Sequence, residues 1–212
     1  MSVTDLTDAY RVALVRIERA VAERLGSAAD LLREPADDDS ISAASAALGG
    51  HLPDELVALY RVTDGLRLFD YEIVPVDQVP DMQAFLRDSY DDIAGSGLSD
   101  RYWGRSPDGP TLALAGNEGV FLLLETSGSH AGRLTAFESV SDFGYRPVAP
   151  SIRALLECWA DVAEAGLFLA EEEAESPYVY VPEERHDEVS TFLADTPCSP
   201  AAVWILAPAT DA

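Results

Sequence analysis

The chain contains no lysine, and its fourteen basic residues are all arginine. A P-loop is excluded by that absence, because its lysine must reach the phosphates. Schiff-base and pyridoxal chemistries are excluded too, since they need an amine nucleophile. Bases are scarce altogether: thirty-eight acids against fourteen arginines leave a formal net charge of −24. That balance argues against direct binding to nucleic acid, where affinity comes from cations displacing counterions, and against an anionic membrane surface. Cysteine is nearly absent. Cys158 and Cys198 are too few for a disulfide scaffold, so reduced thiols and a cytoplasmic location are expected. No apolar run approaches the roughly 20 residues of a membrane-spanning helix. No basic start followed by an apolar stretch marks a signal peptide.

What is present is globular in composition, with 48% hydrophobic and 25% charged residues over 212 positions. A single domain is expected, able to bury about 70% of its unfolded surface. Residues 2–25 read as an amphipathic helix, with Leu6, Tyr10, Ala13, Ile17, Val21 and Leu25 at helical spacing. Ser2 and Asp5 have the spacing of a capping box, and Gly26 is a stop. Ser40 is read as the cap of a short helix that the Gly49-Gly50 pair ends. In the run from His51 to Leu66, Pro53 suits a first helical position and Asp54 and Glu55 face the positive end of the helix dipole. Leu56, Leu59 and Tyr60 form its buried stripe, and Asp64-Gly65 ends it.

Further on, residues 72–76 read as a strand, 76–90 as a helix and 91–110 as a loop. Residues 111–115, 119–126 and 133–138 read as a three-strand meander with a turn at 127–132. Residues 150–166 form another amphipathic helix. Residues 167–175 continue as helix or linker, 178–181 as a strand and 182–194 as a last helix. The tail from Thr196 is too apolar to float free and is expected as an edge strand.

Catalytic motifs are missing. His51, His130 and His186 stand alone in sequence, without metal-ligand spacing. Asp37-Asp38-Asp39 lacks the alternating ligands and glycine of a calcium loop. Ser127, Ser129 and His130 lie close together, but turn chemistry explains them and no nucleophile elbow surrounds them. Glu118, Glu125 and Glu138 lie on or beside the meander, where outward-facing strand residues are the default. The glycines at 95 and 97 lack the rest of a dinucleotide fingerprint. No enzyme activity, cofactor or metal is expected.

Charge distribution says more. Residues 151–212 carry thirteen acids and two arginines, almost half of the net charge. Glu171, Glu172, Glu173 and Glu175 form one dense group, and Glu183, Glu184, Asp187 and Glu188 a second. Such runs are either solvated faces or acidic docking surfaces for a basic protein. A second candidate surface is the loop after Tyr90, which combines Asp91, Asp92 and Asp100 with Tyr102, Trp103 and Arg105. Aromatics and arginine dominate interface hot spots, but the stronger reading of Tyr102 and Trp103 is as anchors of the loop into the core.

The order of these pieces resembles the SMI1/KNR4 family of the SUKH superfamily. The resemblance rests on the helix of Leu52, Pro53, Glu55, Leu56, Leu59 and Tyr60 with its Asp64-Gly65 end, and on Ile73-Val74-Pro75 leading into a helix. It continues through the strands at 112–115 and 120–125, the strand start Gly132-Arg133-Leu134, and Val148-Ala149-Pro150-Ser151-Ile152 opening a helix. It covers roughly residues 40–165, leaving an N-terminal helical extension (1–39) and a C-terminal acidic extension (166–212) of one domain. The sequence departs from the family near Pro150 and Ile152, where an acid and an aromatic are usual, and near Glu125, where an Asp is. The resemblance implies an α+β fold with a mainly antiparallel sheet packed by helices. It also implies a protein-binding function: bacterial members are often immunity proteins that neutralise a toxin, frequently a nuclease, and fungal relatives are hubs in cell-wall signalling. A regulatory scaffold without a toxin and a small-ligand-binding domain are the alternatives; the ligand binder predicts a cleft with converging polar groups. Fold alone does not decide among them.

Overall fold

The computed structural model describes residues 2–26, 31–50, 52–69, 71–95, 111–117, 120–138, 144–171 and 178–204. Among them are six α-helices: α1 (Val3–Leu25), α2 (Asp38–Ala47), α3 (Asp54–Tyr60), α4 (Val79–Gly95), α5 (Ile152–Glu164) and α6 (His186–Leu193). The main sheet has six antiparallel strands in chain order: β1 (Leu66–Leu68), β2 (Tyr71–Ile73), β3 (Thr111–Asn117), β4 (Val120–Glu125), β5 (Leu134–Glu138) and β6 (Gly144–Ala149). A separate two-stranded hairpin pairs β7 (Leu169–Glu171) with β8 (Tyr178–Tyr180). This is the expected α+β architecture: the strand expected over 72–76 appears as β2, and β1 and β6 join it and the expected meander in one six-stranded sheet.

The added strands were hard to read for physical reasons. β1 is three residues long, too short for alternation to register, and β6 contains Gly144 and Pro147. Pro147 is tolerated because β6 is an edge strand of this sheet. β4 is the best example of strand alternation. Leu122 and Leu124 point into the large core with α1, α3 and α5, while Phe121 and Leu123 face a smaller cluster with Leu86, Ala113 and Phe137. On β3 the register shifts between Ala113 and Ala115, so that Leu114 is an extra residue. The bulge turns both Leu114 and Ala115 toward the large core.

The capping box on α1 forms as expected: Asp5 N–H donates to Ser2 Oγ at 3.2 Å and Ser2 N–H to Asp5 Oδ2 at 3.1 Å. Gly26 closes the helix at φ 72°. Two helix starts are corrected. Asp37, not Ser40, caps α2, because its carboxylate accepts the Ser40 N–H at 2.7 Å. Pro53 precedes α3 instead of opening it. The stretch read as loop from residue 91 is helical to Gly95. Residues 167–175 were expected as helix or linker, but Leu169–Glu171 is a strand, because Ala170 must face inward opposite Val179. The tail contributes no edge strand among its described residues. Pro200–Ala202 is a 3-10 turn, with Ala202, Val203 and Trp204 buried in the core.

Both extensions are built into that core. Along α1, Leu6, Tyr10, Leu14, Ile17 and Val21 are buried in the core shared with α5. Arg16 on α1 binds Asp161 and Glu164 on α5 at 2.7 and 2.6 Å. At the C-terminal end, Trp159 Nε1–H donates to Ala202 O at 2.6 Å and Tyr71 Oη–H to Ala201 O at 2.5 Å. Cys158 and Cys198, forty residues apart, are buried free thiols and neighbours. Their hydrogen bond and burial push the Cys158 thiol well above its usual range.

Candidate functional site

The family-like motif residues converge on two places in the structure. The first is the corner after α3. Leu56 and Tyr60 are fully buried, Leu52 nearly so, and Tyr60 Oη–H donates to Val74 O at 3.1 Å. Asp64 accepts the Val76 N–H at 2.7 Å, and Thr63 Oγ1–H donates to Gly65 O at 2.7 Å. Gly65 sits at φ 94°, where a Cβ would lie 2.7 Å from Ile73 O. Only glycine meets both demands. Asp64-Gly65 thus does not stop the helix, which ends at Tyr60; it ties the helix exit to the segment after β2.

The second place is the contact of α3 with the N-terminus of α5. Glu55, in the first turn of α3, accepts the Ile152 N–H and lies against Gly132, where a Cβ would come 3.3 Å from Oε1. Glu55 Oε2 and the hydroxyl of fully buried Tyr10 have no hydrogen-bond partner. Burial pushes the Glu55 carboxyl upward, and burial together with the Glu55 charge pushes Tyr10 up. Nearby on the sheet, Glu125 is 1% exposed and accepts from Arg133 Nε at 2.5 Å. Its Oε2 and the Thr135 hydroxyl lack partners. Glu125 is therefore an inward-held strand acid, against the default reading of outward.

The acidic candidates are placed differently. Glu171 is exposed at the end of β7, while Glu172, Glu173 and Glu175 lie outside the described residues. Asp91 and Asp92 are in α4, not in a loop, with side chains outside the described residues, as are Asp100, Tyr102, Trp103 and Arg105. Beside Glu171 the structure assembles residues that sequence reading missed. Leu169 stands opposite Tyr180, and Glu171 opposite Tyr178. All four share the outer face of the hairpin, because Ala170 and Val179 occupy the inner one. The Tyr178 and Tyr180 rings stack with centroids 5.0 Å apart and planes 19° from parallel. Tyr180 Oη–H donates to Glu171 Oε1 at 2.8 Å. That bond, with the charges of Glu171 and Glu184, raises the Tyr180 hydroxyl above its ordinary value. Arg67 of β1 lays its guanidinium 4.9 Å from the centroid of the Tyr178 ring. The signal in the sequence was Tyr-Val-Tyr alternation, but its partner strand had been read as helix or linker.

Clefts lie elsewhere among the described residues. One of about 710 Å³ between the ends of α1 and α5 is lined by Arg19, Arg24 and Glu164, among others. Arg19 pairs with Glu164 at 3.0 Å, and Arg24 donates to Gly166 O at 2.8 Å. Among the described residues no group of three His, Cys, Asp or Glu is placed to hold a metal. No helix of the described residues is long and apolar enough to cross a membrane.

No curated protein matches the chain. Residues 35–158 match a known family over more than half of the sequence, and that span holds the α3 corner, the Glu55–Gly132 contact, the six-stranded sheet and most of α5. On that match, the chain belongs to the SMI1 / KNR4 family (SUKH-1).

Proposed function

We propose that this chain is a non-enzymatic protein-binding domain, an immunity protein that neutralises a basic, nuclease-type toxin by steric occlusion. Members of its family bind partner proteins. The observation that carries the reading is the charge: residues 151–212 hold thirteen acids and two arginines on a chain at −24 overall. Glu171, Glu183, Glu184, Asp187 and Glu188 are exposed along one stretch of that segment. A nuclease holds its nucleic acid with Arg and Lys, and carboxylates can occupy those groups instead. Close charge pairs in a well-measured nuclease–inhibitor complex are coupled by about 1.5–7 kcal/mol.

The test is affinity capture with the tagged chain from its native lysate, at low and high salt. One near-stoichiometric basic protein, lost at high salt, is the expected result, and co-expression should then protect cells from it. Reversing Glu171, Glu172 and Glu173 to arginine should weaken that complex. A spread of weak partners would replace the toxin with a scaffold role.

A further inference from the structure

We propose that the outer face of the β7–β8 hairpin is a docking surface for an arginine-bearing segment of a basic protein, with the Tyr178–Tyr180 stack as its platform. The inference rests on the reading above that the chain acts by binding a basic partner, and it names the face and the chemistry. Four observations carry it.

The face is not built for water alone. Of its four outward residues, Leu169, Tyr178 and Tyr180 are apolar or aromatic, and Leu169 is 40% exposed. Its rings are preorganised: they stack on each other, and the Tyr180 hydroxyl is held by Glu171. A partner would therefore immobilise little that is not already fixed. The face already takes a guanidinium, since Arg67 lies over Tyr178. Arginine suits it better than lysine, because a planar, weakly hydrated guanidinium stacks on an aromatic ring and forks onto a carboxylate. Finally, the local charge is of one sign. From residue 154 to residue 184 the chain has nine acids and no base. Glu171 and Glu184 stand beside Tyr180, so a cation arriving at the rings meets carboxylates within reach.

The experiment uses the full chain and three fluorescein-labelled octapeptides, alternating glycine with arginine, lysine or glutamine, at physiological ionic strength. The arginine peptide should bind about threefold more tightly than the lysine one, and the glutamine peptide should not bind. Tyr180→Ala should weaken arginine-peptide binding about fivefold or more, and Tyr180→Phe, which keeps the ring, by less than about twofold. Leu169→Arg changes an exposed position, so the fold is kept, and should abolish the binding. Asp38→Asn with Asp39→Asn removes two acids from another surface and should leave binding within about twofold. Equal binding of the arginine and lysine peptides would overturn the proposal. So would unchanged binding in Leu169→Arg, or an equal loss in the Asp38/Asp39 variant. The outcome is separable from the toxin reading. A basic protein captured from lysate and still held by Leu169→Arg would overturn this face while the immunity role stands. Arginine peptide bound through the face, with no basic protein captured, would support the face and remove the toxin.

Discussion

Glu125 carries its carboxylate inside the sheet, fully shielded from solvent, beside the Arg133 guanidinium. Removing a partner from a buried pair leaves the other charge desolvated and uncompensated. Arg133 is itself 31% exposed. Arg133→Ala is therefore expected at the lower end of the range for such losses, about 3 kcal/mol, read by urea unfolding. Glu125→Leu in the same chain should recover part of it, because the stranded charge is gone. Glu55 presents a different residue-level problem. Burial raises its carboxyl above the ordinary 4.5, so the folded chain binds that proton more strongly than the unfolded one does. Stability from this group is complete below the unfolded value and falls as pH rises through the folded one. Glu55→Gln keeps an acceptor for Ile152 N–H and removes the charge. It should stabilise the chain at about pH 7 and lose that advantage toward about pH 4, as paired urea titrations would show. Asp5, Asp37 and Glu164 run the opposite way: hydrogen bonds and ion pairs lower them, so what they contribute above the unfolded value is lost on acidification.

Among the elements, the core extends beyond the region that matches the family. The family match stops at residue 158, inside α5, yet the core runs on through Trp159, Val162, Phe168, Val189 and Trp204. The C-terminal turn supplies the acceptors for Trp159 Nε1–H and Tyr71 Oη–H. Ending the chain after Ala194 would leave two buried donors unpaired and empty the space of Ala202, Val203 and Trp204. The expected cost is about 3 kcal/mol or more, with a lowered and broadened thermal transition. Helices such as α1 and α5 were legible because a stripe every three or four residues is a local signal, and so were the Ser2 and Gly26 caps. β1, β6 and β7 were not, because strands of three residues, or with Gly and Pro, are specified by the neighbour they pair with. The candidate face on the hairpin shared that fate. Tyr178 and Tyr180 were visible as a strand, but nothing local placed Leu169 and Glu171 opposite them or Arg67 above.

At the scale of the whole molecule, a charge of −24 works against the compact state through self-repulsion and for any encounter with a basic protein. Salt screens both. The thermal midpoint should therefore rise as sodium chloride is added from low ionic strength, while association with a basic partner slows. Scanning calorimetry and stopped-flow measurements on the same salt series would check the two signs together. A midpoint that falls with salt would mean that ion pairs such as Arg16 with Asp161 and Glu164 outweigh the repulsion.

Composition alone determined the acidity, the absence of lysine chemistry and the concentration of carboxylates in the last third of the chain. Local pattern determined the long helices, their main caps and the ordered motifs shared with the family. Those properties depend on residues a few positions apart, where backbone geometry sets the neighbours. Tertiary structure decided that Cys158 meets Cys198, that Glu125 turns inward to Arg133, that Glu55 lies against Gly132, and that Arg67 reaches Tyr178 across more than a hundred residues. Such contacts are set by how the sheet registers and how the helices pack on it, and no interval along the chain encodes that distance.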